Sequence, residues 1–417
     1  MKRRVCIIGA GASGLMAAIF AARHGAAVTI LESNPQVGKK LLATGNGKCN
    51  LTNLNPISAD TYRGSDISFA RDILQKWSVS DTIHFFENLG IMLLDHDGWV
   101  YPYAEKSSVV LTALLNECSR LGIKIKTNEN AISIEKNKDG NTFTVLTQGW
   151  HYEADAVILA AGSPASEVKG ASDSGMKLAE KLGHTIIPLC PALTSLNSKD
   201  KSVSNWGGCR AYGEVTLFVN EKEIMKRKGQ LQLINGGISG IPIFQLSRFV
   251  SRALLKKEKV RISLDFLPDR SWNELKEWFV SHMEKRLSVT DILGGLFPEN
   301  LCQVIKNNLS LKHKILLQND QTHRFTEQKI NDDELNVIIS IIKSFNLNVD
   351  STASIKHAQV CAGGVSTKEI NSQSCASKLV PGLYITGEML DIDGDCGGWN
   401  LQFAWATGVL AGKNAAK

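Results

Sequence analysis

The stretch from Val5 to Glu32 constrains this chain more than any other. Val5-Cys6-Ile7-Ile8 is a short apolar run of strand type, and it leads straight into Gly9-Ala10-Gly11-Ala12-Ser13-Gly14, a G-x-G-x-x-G in register. An alanine-rich segment, Leu15 to His24, follows with Gly25 where a helix would stop. A second apolar run, Ala27 to Leu31, then ends in Glu32. Each part has a physical task. Gly9 permits a tight turn, Gly11 lets backbone approach a pyrophosphate, and Gly14 lets a helix pack closely on a strand. The helix start presents unpaired N–H groups and a positive dipole end to phosphates, and Glu32 is placed to accept hydrogen bonds from a ribose diol. Strand, glycine turn, helix, strand and terminal acid together specify an adenine-dinucleotide site in an α/β domain.

Lys2-Arg3-Arg4 before an apolar, Ala-rich run also has the outline of a secretory signal peptide. The glycines between Gly9 and Gly25 would weaken such a helix, and Arg23 and His24 interrupt the apolar run, so the segment reads as part of the folded protein. At 417 residues the chain exceeds one compact core. A formal charge of +6 is modest, and the basic runs Lys222 to Lys228 and Lys256 to Arg261 are interrupted by acids and lack interleaved aromatics. They read as solvated hairpin or helix faces, and no nucleic-acid partner is expected. Nine cysteines without a C-x-x-C pair point to reduced thiols in a cytosol, and nine histidines without H-E-x-x-H give no metal site. Outside the glycine-broken N-terminus, no uncharged apolar stretch reaches the roughly 18 to 20 residues a membrane span needs. The expectation is a cytoplasmic protein without a membrane span.

After Glu32 comes Gly38-Lys39-Lys40-Leu41-Leu42-Ala43-Thr44-Gly45-Asn46-Gly47-Lys48-Cys49-Asn50-Leu51-Thr52-Asn53, too small and polar for a core strand. It reads as a loop able to wrap a ligand that extends past the pyrophosphate. Phe69 to Leu89 has helical spacing with Trp77, Ile83, Phe85 and Phe86 as core, and Ser107 to Leu121 reads as a helix. Ala131 to Thr147 alternates like a hairpin turning at Asp139-Gly140, with a strand beginning at Asn141. Asp155 to Gly162 is a buried strand ending in Ala160-Ala161-Gly162. From about Pro188 the texture changes: short strand-like pieces occupy 190–265, and a helical stretch over 270–346 has Trp272, Leu275, Trp278 and Phe279 at core spacing. Val360 to Val365 and Gly382 to Glu388 return to the buried-strand type. The expected organisation is therefore a dinucleotide-binding domain from 1–189 and 351–417, with an inserted lobe over 190–350.

With the N-terminal fingerprint, the run from Gly38 to Asn53 resembles the flavoprotein family that includes aminoacetone oxidase and the bile-acid 3-dehydro-4,6-dienoate reductase. Gly236-Gly237-Ile238-Ser239-Gly240-Ile241-Pro242 and the block from Gly382 through Gly387-Glu388, Asp391, Gly394 and Gly397-Gly398-Trp399-Asn400-Leu401-Gln402 resemble it as closely. Lys48 departs from the arginine many members carry, which keeps the charge and loses a bidentate fork. The resemblance implies a Rossmann-like FAD-binding domain with an inserted β-rich plus helical lobe. It implies FAD along Gly9, Gly11, Ala12, Ser13, Gly14, Glu32 and Ser33, then Lys40, Leu41, Thr44, Gly45, Gly47, Lys48, Cys49 and Asn50. Ala131 would meet the adenine through backbone, and Ala160, Ala161 and Gly162 would close over the pyrophosphate. Gly387 and Glu388 would hold the ribityl chain, with Gly398, Trp399, Asn400, Leu401 and Gln402 at the flavin pyrimidine. On this reading Lys48-Cys49-Asn50 and Asn400-Leu401-Gln402 flank the isoalloxazine ring.

Two glycine-rich blocks at opposite ends of the chain suit a cofactor longer than NAD. No spacing singles out a catalytic acid or base, because the flavin itself performs hydride chemistry. Three functions are consistent with the residues and the resemblance. The first is an oxidoreductase that takes hydride from transiently bound NAD(P)H and reduces an activated C=C in a hydrophobic conjugated ketone, such as a bile-acid dienone. The second is an oxygen-dependent oxidase of a small amine, and the third a flavin-carrying RNA-modification or interaction protein.

Overall fold

The computed structural model describes all residues except 59, 138, 139, 141 and 314–329. The turn expected at Asp139, the strand start at Asn141 and part of the helical stretch over 270–346 lie outside the described residues. The chain divides into two compact units, Met1–Cys190 with Ile355–Lys417, and Pro191–Ser354.

The first unit is built on a parallel five-stranded sheet. β1 (Arg4–Ile8) lies at its centre, flanked by β2 (Ala27–Glu32) and the strand Ala156–Leu159. Lys124–Thr127 and Leu383–Ile385 form the edges. The register Val5↔Ala156, Cys6↔Val157, Ile7↔Ile158 and Ile8↔Leu159 aligns two uninterrupted apolar runs, the composition of strands covered on both faces. Between β1 and β2 runs α1 (Ala12–Arg23), with nine of its twelve residues buried. A helix that is apolar on every side needs cover on every side.

The C-terminal helix Trp399–Ala415 supplies that cover, and twelve of its seventeen residues are buried. Two glycines set the approach. A Cβ on Gly408 would stand 2.4 Å from the Ser13 carbonyl oxygen, and one on Gly412 would stand 2.3 Å from that of Ala17. The backbones meet where no side chain fits between them. Phe86 packs edge-on against Trp405 with ring centroids 5.2 Å apart, and Trp405 Nε1 donates to the Leu51 carbonyl at 2.9 Å.

The stretch from Phe69 to Leu89 forms two helices, Ile67–Lys76 and Val79–Asn88, instead of one. Trp77 leaves the helical region at φ −144°, and Ser78 starts the second helix in a reciprocal cap with Asp81. Trp77, Phe85 and Phe86 are buried, whereas Ile83 is only half-buried.

The second unit carries a seven-stranded antiparallel sheet centred on the long hairpin Cys209–Val219 and Lys222–Ile234, whose basic residues alternate outward. Helix Ile241–Leu255 packs on it, and helices Trp272–Glu284, Val289–Leu296, Glu299–His313 and Asp332–Lys343 follow. The helical reading of 270–346 stops short at its end, because Phe345–Asn348 is a strand that pairs Leu347 with Ile262. Trp272 and Trp278 were expected in the core and are 38% and 47% exposed. Only the narrow stripe of Leu275 and Phe279 faces inward, while the Trp278 ring stacks on His282, one turn along its own helix, at 4.1 Å.

The Gly412 contact yields a stability prediction. Gly412→Val should lower the unfolding free energy by about 1–3 kcal/mol through overpacking. Gly294→Ala, in an exposed helical position with nothing within 4 Å of the new Cβ, should be neutral or stabilising. Urea unfolding of both variants is the check, and an unchanged midpoint for Gly412→Val would contradict the close packing.

Candidate functional site

A cavity in the first unit opens at the carboxyl ends of β1 and β2. Open parallel sheets place ligand crevices at such ends. Of the residues expected to hold a cofactor, Gly9, Gly11, Ala12, Ser13, Glu32, Ser33, Lys40, Leu41, Thr44, Ala131, Ala160, Ala161, Gly162, Glu388, Asn400 and Leu401 lie on its wall. They come from five separate parts of the chain.

The three fingerprint glycines differ in what they face. Gly9 turns at φ +105°, and a Cβ there would meet the Ala160 carbonyl oxygen at 2.5 Å. A Cβ on Gly14 would stand 2.0 Å from the Gly9 carbonyl oxygen. Gly11 has nothing within 4 Å and an extended backbone at φ −85°, so a side chain there would project into the cavity instead of into protein. The cavity is thus free of side chains where the start of α1 presents its N–H groups, as an approaching pyrophosphate requires.

Glu32 is buried at the end of β2 and fixed from several sides. Its Oε2 accepts the Ala10 N–H at 2.9 Å, and its Oε1 accepts the Asn34 N–H and the Asn34 Nδ2 amide, each at 2.9 Å. A carboxylate has about four acceptor positions, so this anchoring leaves capacity for a ribose hydroxyl. The donor set and the bare approach at Gly11 fit an adenine dinucleotide.

Across the cavity, Asn400 accepts the Gly394 N–H at 2.8 Å and donates to the Gly394 carbonyl at 2.9 Å. This closes the turn before the C-terminal helix and fixes the direction of that helix start, whose free N–H groups and dipole favour negative charge.

The remaining expected residues are off the wall. Lys48, Cys49, Asn50 and Gln402 do not line the cavity: Lys48 is exposed, and Cys49, Asn50 and Gln402 are buried beside it. Lys48 Nζ pairs with Glu105 at 2.9 Å on the exposed side. Cys49 is fully buried at φ +60°, and burial pushes its thiol up to about 12 despite a hydrogen bond with Thr44, so it is a neutral packing group. The Asn50 amide, oriented by its neighbours, donates to the Thr52 and Val100 carbonyls at 2.9 and 3.2 Å and accepts the Gly398 N–H at 3.3 Å. Gln402 accepts from Thr52 Oγ1 at 2.7 Å, and Asn53 Nδ2 donates to the Gly397 carbonyl at 2.7 Å. These bonds form a polar seam joining the N-terminal loop to the C-terminal helix start. Gly398 caps that helix, and Trp399 packs on Tyr62, which donates to its carbonyl at 2.9 Å. Gly387, at φ +63°, gives its N–H to Thr407 at 3.0 Å beside Ser13, while Gly45 and Gly47 lie in the turn that leads away from the wall.

Sequence reasoning missed the loop that closes one side. Ser163, Val168 to Ser172 and Ser174 line the cavity, with Gly170 against the Asn34 amide. Its signal was the small-residue run after Gly162, which carries no apolar periodicity. Elsewhere in this unit, Ser377 Oγ lies 2.9 Å from His184 Nε2, and His184 Nδ1 lies 3.0 Å from Glu369 Oε2. The order resembles a hydrolytic triad, yet Ser377 Oγ accepts the Leu379 and Val380 N–H groups at 3.1 and 2.8 Å and is buried. It works as a structural clip. Among the described residues no group of three or more His, Cys, Asp or Glu side chains could hold a metal ion, and no helix is long and apolar enough to cross a membrane.

The glycine geometry gives a paired test. Gly11→Leu should abolish FAD retention while leaving the stability of the flavin-free fold within about 0.5 kcal/mol, as for substitutions that disturb no packing. Gly14→Leu should destabilise the fold itself. Flavin absorbance after purification and thermal unfolding of the apoproteins separate the two, and flavin retained by Gly11→Leu would refute the assignment of the pyrophosphate path.

A model of the HI0933-like protein Rossmann domain matches residues 3–414. The chain is 38% identical to 3-dehydro-bile acid delta(4,6)-reductase of Clostridium scindens, with 99% of each chain covered. It is 27% identical to ribosomal RNA dihydrouridine synthase of Haemophilus influenzae, with 96% of this chain and 95% of that one covered. In fold it is similar to 3-ketosteroid delta1-dehydrogenase of Sterolibacterium denitrificans in complex with 1,4-androstadiene-3,17-dione, at a TM-score of 0.51 and 12% identity over 99% of each chain. The chain belongs to the HI0933-like Rossmann-domain family.

Proposed function

We propose that this member of the HI0933-like family is an FAD-dependent oxidoreductase that uses NAD(P)H to reduce a C=C bond conjugated to a carbonyl, with a 3-dehydro-4,6-diene bile acid as the substrate class. The observation that carries the substrate class is the 38% identity, end to end, to a protein named 3-dehydro-bile acid delta(4,6)-reductase. The cavity supports the cofactor. Glu32 is set to receive ribose hydroxyls, Gly11 leaves room for the pyrophosphate, and the Asn400 turn aims the N–H groups of the C-terminal helix at the far end. Bound there, FAD would supply the hydride chemistry. The chain's own contribution is to hold and orient it, and to place a positive dipole end where charge gathers.

A second reading keeps the reaction and changes the substrate. The relative named ribosomal RNA dihydrouridine synthase bears a name that denotes the same bond change, since dihydrouridine is uridine with the ring C=C next to a carbonyl saturated. The greater identity to the bile-acid enzyme favours the steroid substrate for this chain.

Anaerobic stopped-flow measurement tests both. NADH or NADPH should bleach the flavin, and the bile-acid dienone should restore its colour faster than oxygen does. Bleaching by a small amine instead would favour the oxidase, and reoxidation by unmodified ribosomal RNA alone would move the substrate to RNA.

A further inference from the structure

One pair of charges on the cavity wall joins parts of the chain 348 positions apart. Lys40, in the short helix Lys39–Ala43, gives its Nζ to the Glu388 carboxylate. Lys40 Nζ also lies 3.4 Å from Ser163 Oγ, and the second Glu388 oxygen accepts the Cys361 N–H at 3.0 Å. The two side chains are 29% and 18% exposed, so solvent screens them only in part. Among the described residues the Cys361 thiol also faces Glu388; burial pushes it up to about 12, so it carries no charge near neutrality. Among the described residues, Lys40 is the cation paired with this carboxylate.

A carboxylate is a costly neighbour for a diphosphate. Glu388 stands on the wall of the cavity that, on the FAD reading above, takes two phosphate charges at the start of α1. Unpaired, it would repel them through a partly desolvated medium, where charge interactions are stronger than in water. Yet an ionised carboxylate is also the strongest available acceptor for the hydroxyls of a polyol chain. Both demands are met when a cation from another segment cancels the charge and leaves acceptor positions open.

We propose that Lys40 is a positioning residue whose task is to neutralise Glu388, so that Glu388 can accept polyol hydroxyls of the bound dinucleotide without repelling its diphosphate. The inference rests on the FAD reading. The helix Lys39–Ala43 that carries Lys40 starts at the left-handed Gly38, at φ +69°, where a Cβ would strike the Leu111 side chain at 2.6 Å.

The test is FAD affinity at pH 8, read from the fluorescence of FAD released on diluting the holoprotein. It compares wild type, Lys40→Met, Glu388→Gln and the double variant. Lys40→Met should bind about tenfold to a hundredfold more weakly at pH 8, because the bared carboxylate faces the diphosphate. The double variant should recover most of the loss, and Glu388→Gln alone should bind no more weakly than the double variant. A Lys40→Met affinity equal to that of the wild type, or a double variant no better than Lys40→Met, overturns the proposal while the FAD reading stands. A wild-type protein that holds no FAD overturns both.

Discussion

The first unit depends on one packing contact, the crossing of α1 and the C-terminal helix at Gly408 and Gly412. α1 is too apolar to face water on any side, and β1 and β2 cover only one of its faces. Helix Trp399–Ala415 returns from the other end of the chain to cover the opposite one, with its backbone lying against the carbonyls of Ser13 and Ala17. Removing one methylene's worth of space from such an interface costs more than the same change on a surface, because interiors are packed to crystal density. The start of α1 is also where phosphates would bind, so the contact that completes the core also fixes the ligand site.

From that crossing the polar seam follows. Once the C-terminal helix is seated, its first turn lies beside residues 50 to 53, and the bonds of Asn50, Thr52 and Asn53 to Gly398, Gln402 and Gly397 satisfy polar groups that burial would otherwise leave unpaired. The loop with left-handed residues at Gly45, Asn46, Gly47 and Cys49 would cost free energy on its own. The buried Cys49 and Asn50 hold it, and the cavity wall in front of it is set by Leu41, Thr44 and Asn400.

Charge at the site is arranged in the same way, by partners distant in sequence. Glu32 is fixed by Asn34 on its own loop and by the Ala10 N–H of the glycine turn, whereas Glu388 is fixed by Lys40 and by the Cys361 N–H. A wall built from both ends of the chain can hold a ligand longer than either end could span alone. That is the structural reason the two glycine-rich blocks occur at the two ends.

The residues Val5 to Glu32 determined their own structure, because every signal in them is local: a strand of apolar residues, a turn that needs glycine at Gly9, a helix that Gly25 stops. The mixed α/β class and the strand ending in Ala160-Ala161-Gly162 were legible for the same reason. Tertiary structure decided the rest. Whether Trp272 and Trp278 are inside depends on how wide a stripe the neighbouring helices cover, and spacing along one helix does not carry that information. Whether Asn50 faces a ligand or a helix start depends on where Gly398 lies, some 350 residues away along the chain. The family resemblance implied a place for Glu388 at the ribityl chain, but its pairing with Lys40 exists only once the two ends of the chain lie side by side. Contacts between distant segments arise from packing, and a sequence encodes them only through the many small fits that seat one helix against another.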